Sequence, residues 1–230
     1  ELRKWVVSQR IVSQIELFKE LRVDEKKVRE MENIFLHLQY AKGSRQIMRV
    51  EDDIGRMYYH TFSMLFKPEL GFSTRNSLRN FRPNNASDVI NSLLNYGFGI
   101  LYGEVTKHLN GLGLDCFVGF YHMPNRSHLP LVYDMIEPHR HLVERSVYDI
   151  QDQIRKKDYV FSVKGVVVLS RQLKKKYIDC LDGILNKKRL YKGMHGVKRI
   201  KDNLQNMKES TYIKTKCYKL KESLGVDNHV

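Results

Sequence analysis

Apolar side chains recur at helical spacing along most of the chain. Leu2, Val6, Ile11, Ile15, Phe18 and Leu21 fall near one stripe with polar residues between them, which predicts a helix over 2–22. Asp24 reads as the N-cap of a second, charged helix running through Phe35 and Leu38, and Gly43-Ser44 marks the next break. Ile47, Val50, Ile54, Met57, Tyr58, Phe62 and Leu65 predict a third helix over 45–66. Ser87 is placed to cap a fourth over 88–109, which Asn110-Gly111 ends. A further helix is expected over 130–155, with a kink at Pro138, whose ring opposes the carbonyl four residues back. Only residues 159–170, YVFSVKGVVVLS, read as β structure, either a short hairpin or an extended connection. From 171 to 224 the pattern returns to helical, Lys-rich sequence.

The pattern therefore predicts a mainly α, multi-helix domain with at most a short β hairpin near 159–170. One domain over 1–230 is expected: first helices in 1–40, a central block over 45–155, and a basic helical lobe over 156–230. A length of 230 residues suits one sizeable core. Between the helices, 67–87 forms a long basic loop, and 123–129 a second loop.

Charge narrows the partner. Forty Lys and Arg oppose 26 Asp and Glu, a formal net charge of +14, which favours a polyanion. The longest uninterrupted aliphatic run, 166–169, is far short of the roughly 20 residues of a spanning helix. Nucleic acid is thus preferred over a membrane. Three widely separated cysteines, none in a CxxC pair, argue against a disulfide framework or a thiolate zinc site, and fit a reducing, cytoplasmic setting. The opening ELRKW has no Met and no apolar signal region, so the chain reads as a piece of a longer protein.

Against that positive background, 121–147 gathers His122, His128, His139 and His141 around Asp134 and Glu137. Asp134 and Glu137 are three apart and share one side of a helix. With His122 upstream they suit Mg²⁺ or Mn²⁺, the imidazole tilting the choice to Mn²⁺. Paired acids at this spacing are more often simply solvated, and by spacing alone that reading stays open. His139 and His141, two apart, face different ways on a helix and make a poor zinc pair. Glu51-Asp52-Asp53 is a second acidic island, locally best read as a solvated turn, and Glu104 a third candidate with Lys107 as its ordinary partner. Arg75, Arg79 and Arg82, interleaved with Phe72 and Phe81, suit phosphate tracking with stacking rings. Arg126 and Arg140 flank the acid–His segment. Gly97, Gly99 and Gly103 are read as helix packing rather than a phosphate loop, because no Lys-Ser/Thr follows them.

Four blocks in order, EDDIGRMYY (51–59), INSLLNYGFGIL (90–101), GLGLDCFVGFYH (111–122) and LVYDMIEPHRHLVERSV (131–147), resemble the CRISPR-associated integrase family, the "Cas-one" proteins of spacer acquisition. Asp52, Cys116 and His139 stand where the family pattern has Gly, Pro and Phe. The resemblance implies the helical catalytic domain of that family, without its N-terminal β-rich domain. It also implies an endonuclease and integrase that joins DNA 3′-OH ends into a target duplex. Glu51, His122 and Glu137 fall on the family's metal ligands, and Asp134 on a supporting or proton-handling position, whereas Glu104 has no counterpart. Implied partners are double-stranded DNA, a second copy of the chain and a small "Cas-two" subunit. Arg56, Arg75, Arg79, Arg82, Tyr96, Arg126 and Arg140 are the expected DNA contacts. Casposase-type transposon integration is the alternative within this chemistry. A noncatalytic, basic nucleic-acid-binding helical module is the alternative outside it.

Overall fold

Helix α1, Leu2–Glu20, buries Val6, Val7, Ile11, Ile15, Leu17 and Phe18, so the predicted stripe is the face that enters the core. The computed structural model describes residues 1–75, 86–123, 129–191 and 205–225. Asp24 caps α2, Glu25–Tyr40, by accepting from the Lys26 amide at 2.8 Å. Helix α3, Ser44–Ser63, lies against α1 and α2. Its Tyr58, Tyr59 and Phe62 join Phe18, Phe66 and Phe72 in one aromatic cluster.

The expectation that Phe72 stacks on nucleic acid is corrected here. It is 8% exposed, with its ring 5.3 Å from Phe66. Burying a large aromatic ring outweighs leaving it in solvent by about 1.5–3 kcal/mol, so the core claims it. Phe81 lies outside the described residues.

Helix α4, Val89–Gly111, is capped by Asp88 and not by Ser87: the Asp88 carboxylate accepts from the Asn91 amide at 2.7 Å. The helix passes through the core against α5, Pro130–Ile136, and α6, Arg140–Ile150. Gly97 lets that crossing close, since a Cβ there would sit 2.7 Å from Val143 Cγ1 and overlap the Tyr177 hydroxyl. Gly99 and Gly103 have open space instead, so close packing accounts for Gly97 alone. Pro138 breaks the expected 130–155 helix as its ring chemistry requires, leaving a 3-10 turn, Glu137–His139, between α5 and α6.

Strands β1, Tyr159–Phe161, and β2, Val167–Leu169, form the expected antiparallel hairpin. The continuous helical reading of 171–224 is corrected by a second ladder. After α7, Arg171–Asn186, strand β3, Lys188–Tyr191, pairs antiparallel with β4, Gln205–Lys208, before α8, Glu209–Ser223. These strands read KRLY and QNMK, and neither shows the alternating apolar pattern that betrays a half-buried strand. No helix among the described residues is long and apolar enough to cross a membrane.

His139 and His141 are structural. His139 is 1% exposed and lies edge-on to Tyr212, with ring centroids 6.0 Å apart. Burial, with His141 and Lys216 nearby, pushes its pKa well below the usual value, and burial with Arg189 lowers His141 to about 4. The unfolded chain takes up protons at these positions near pH 6.5 while the folded chain does not. Stability is therefore intact above about pH 6.5 and falls as pH drops, by up to about 1.4 kcal/mol per unit for each group. Melting temperature measured from pH 7 to pH 5 should decline, and less steeply in His139→Phe.

Candidate metal centre

Three elements bring their polar side chains to one point. Arg10 projects from α1, Glu51 from α3, and Glu137 from the turn that Pro138 forces at the end of α5. Arg10 Nη1 lies 2.6 Å from Glu51 Oε1 and 2.9 Å from Glu137 Oε2, so one guanidinium nitrogen bridges acids 86 positions apart. Arg140 Nη1 sits 3.1 Å from the other Glu137 oxygen. Its Nη2 donates to the Tyr59 hydroxyl at 3.2 Å, and its guanidinium lies over the Phe98 ring at 4.3 Å. Tyr59 donates in turn to Glu144, which is fully buried and also accepts from Tyr58, both at 2.8 Å, and from Gln14 at 3.1 Å. A buried polar chain thus runs from the core to the site.

His122 is placed by Asp134. The Asp134 carboxylate, fully buried, accepts from the amides of Phe120 at 2.6 Å, Tyr121 at 3.0 Å and His122 at 2.8 Å, and from His122 Nδ1 at 2.7 Å. Facing a carboxylate, Nδ1 carries the proton and Nε2 is left as the outward nitrogen, the arrangement found behind metal-ligating histidines. Gly119 makes the tight loop possible, because a Cβ there would lie 2.6 Å from Pro130 Cβ and 3.0 Å from Asp134 Oδ2. Asp134 therefore orients rather than ligates. In Asp134→Asn an amide NH₂ replaces an acceptor and faces donors. The raised His122 pKa should fall back, read by NMR titration of its ring protons, with the helical circular dichroism unchanged. An unchanged titration would show that His122 needs no such support.

The local field is divided. Burial alone would raise Glu137, but Arg10, Arg140 and His122 outweigh it and hold its pKa below the ordinary carboxylate value. Burial, with Glu137 adding to it, keeps Glu51 above that value despite Arg10. Burial would lower His122, yet Asp134, Glu137 and Glu51 together leave it raised. The imidazole and both acids thus act on one another electrostatically.

Among the described residues, no three His, Cys, Asp or Glu side chains stand as placed in a ready ligand cluster. Arg10 lies between the two acids instead. The donor types nonetheless fit a hard or borderline divalent cation: two carboxylates at a spot that already selects positive charge, and an imidazole held by Asp134 with Nε2 free of that contact.

The expected DNA contacts divide. Arg56 is exposed at 73% and pairs with Asp53. Arg75 and Arg140 already have partners within the chain. Arg75 donates to Asn91 at 2.7 Å and Asn95 at 2.6 Å, and Arg140 is engaged by Glu137, Tyr59 and Phe98. Tyr96 is half-buried, its ring 6.2 Å from Tyr177 with Lys174 5.8 Å above it. Arg79, Arg82 and Arg126 lie outside the described residues. Glu104 pairs with Lys107 at 2.7 Å, as its spacing suggested. Arg10, Tyr59 and Glu144 escaped the sequence reading. The available signal was polar residues on buried helical faces: Arg10 and Gln14, one turn apart beside Ile11, and Glu144 between Val143 and Val147.

The family profile described as "CRISPR associated protein Cas1" matches residues 1–182. A protein of Methanospirillum hungatei named CRISPR-associated endonuclease Cas1 1 is 32% identical over 131 residues, covering 56% of this chain and 38% of the relative. The chain thus spans well under half the length of that relative. Among solved structures, a casposase bound to integration product aligns with TM-score 0.78 and 25% identity, over 99% of this chain and 62% of that one. A chain of a partial Cas6-RT-Cas1–Cas2 complex aligns with TM-score 0.78 and 22% identity, over 98% of this chain and 65% of that one, a likeness of fold. With the profile matched over most of its length, the chain belongs to the Cas1 family.

Proposed function

We propose that this chain is the catalytic lobe of a DNA integrase of the CRISPR spacer-acquisition type, joining DNA 3′-OH ends into a target duplex by transesterification. The observation that carries the reading is the meeting of Glu51 and Glu137 at one cationic spot, with His122, held by Asp134, near enough for both acids to raise its pKa. In the reaction the 3′-hydroxyl oxygen forms a bond to the scissile phosphorus as the target strand's bridging P–O bond breaks. The attacking hydroxyl loses its proton and the departing 3′-oxygen gains one, so bond count is conserved and no external energy is needed.

Glu51, His122 and Glu137 would hold Mg²⁺ or Mn²⁺, which when bound polarises the phosphate and offsets the charge of the five-coordinate transition state. The rest falls to the chain. Asp134 fixes the imidazole, Arg140 fixes Glu137, and Tyr59 with Glu144 fixes Arg140. The Lys and Arg excess draws the DNA backbone, and Arg56, on the same helix as Glu51, is an exposed cation for it. A second copy of the chain and a Cas2-type subunit are the proposed protein partners, a reading supported by the Cas6-RT-Cas1–Cas2 complex, one chain of which shares the fold.

The casposase likeness supports a second reading, in which the ends joined are those of a transposon. The test supplies Mn²⁺ or Mg²⁺, a 3′-OH oligonucleotide and a supercoiled target, with a chelator control. Metal-dependent joined product is expected. Binding that weakens steeply with salt but never yields joined or cleaved DNA would leave only a nucleic-acid-binding module. Preference for a repeat-containing target with a Cas2-type subunit, over transposon ends, decides between the two integrase readings.

A further inference from the structure

We propose that Arg10 and a divalent cation compete for the same two carboxylates, so that Arg10 holds the site in register without metal and gives way on loading. The inference rests on the reading of Glu51, His122 and Glu137 as metal ligands. Two largely buried acids brought together repel, and a positive group must lie between them if both are to stay charged. Arg10 supplies it from a third helix, with a side chain only 12% exposed and one nitrogen in contact with both acids.

The two arginines at the site are not equivalent. Arg140 is anchored by Tyr59 and Phe98 and takes the Glu137 oxygen that Arg10 does not contact, so it can stay when a cation arrives. Arg10 makes its guanidinium contacts, among the described residues, with Glu51 and Glu137 alone. Those two oxygens meet at one guanidinium nitrogen, and a cation held by both acids at that point needs them. Two cations cannot share these lone pairs at contact, so occupancy by one opposes the other. Linkage then requires that removing the internal competitor tighten the external one.

The test measures Mn²⁺ binding alone, by the electron paramagnetic resonance of free Mn²⁺, in the wild-type chain, Arg10→Gln and Glu137→Gln. Arg10→Gln should bind Mn²⁺ about 10-fold more tightly than wild type, a typical coupling between linked sites. Its metal-free melting temperature should be lower, and its rise at saturating Mn²⁺ larger. Equal or weaker Mn²⁺ affinity in an Arg10→Gln protein of normal helical content overturns the inference. Should that variant not fold, the wild type still answers. Solvent exchange of the Arg10 Nε proton should quicken at saturating Mg²⁺, and unchanged protection overturns the inference. Wild-type protein with no Mn²⁺ binding that Glu137→Gln removes would overturn the metal centre itself, and the inference with it.

Discussion

His122→Ala should reduce strand joining by more than about 100-fold while DNA affinity and melting temperature stay near wild type. Losing an outer-shell partner of a metal ligand already costs about 10–100-fold, and losing the ligand itself removes more. Three features make the effect specific. The imidazole is 37% exposed, so its removal leaves no closed cavity in the core. The loop that carries it keeps three backbone amides on Asp134. Phosphate binding is expected to spread over a chain of net charge +14, to which one imidazole adds little. Joining rate, a filter-binding isotherm and a melting curve on the same preparation check the three parts. A variant that joins DNA at the wild-type rate removes His122 from the reaction.

Glu144→Ala should be the most damaging substitution for stability. Its carboxylate is fully buried and accepts from Tyr58, Tyr59 and Gln14, which join α1, α3 and α6. Truncation leaves three buried donors without that acceptor and opens a void among them. A buried donor left without an acceptor costs about 1–3 kcal/mol, so losing three together costs several kcal/mol. For a domain of this size that corresponds to a fall in melting temperature of about 10 °C or more. Glu144→Gln keeps the shape and one acceptor, and should lose about half as much by the same reasoning. Because Tyr59 also receives Arg140, joining at a permissive temperature should drop in both variants. A shift below about 2 °C in Glu144→Ala would mean that the tyrosines and Gln14 find other partners.

The helices were legible because their information is local. Apolar spacing marks α1 and α3, Asp24 marks the start of α2, and Pro138 marks the break that sets Glu137 on a turn of its own. Ser87 and Asp88 are both good capping residues, and only the tertiary course of the chain selects Asp88. The β3–β4 ladder has no apolar alternation to announce it.

The site was legible in a different way. Local spacing could propose Asp134 with Glu137, but these two diverge in the structure, one turned to the 120–122 amides and the other to Arg10 and Arg140. The Glu51–Glu137 meeting depends on how α1, α3 and the 137–139 turn pack, which no window of sequence contains. Family resemblance pointed to the pair, and α1 supplied the arginine between them, which neither motif nor spacing marked. The partners of Arg75 and Arg140, Asn91, Asn95, Tyr59 and Phe98, were hidden for a related reason: they come from other elements.

A cation shared by three side chains is tested most directly by diffraction from crystals soaked in Mn²⁺, with data collected at the manganese absorption edge. One anomalous peak is predicted within bonding distance of Glu51, His122 Nε2 and Glu137, with the Arg10 guanidinium withdrawn from between the acids. No peak at saturating Mn²⁺, or a peak elsewhere with Arg10 still bridging Glu51 and Glu137, would contradict it.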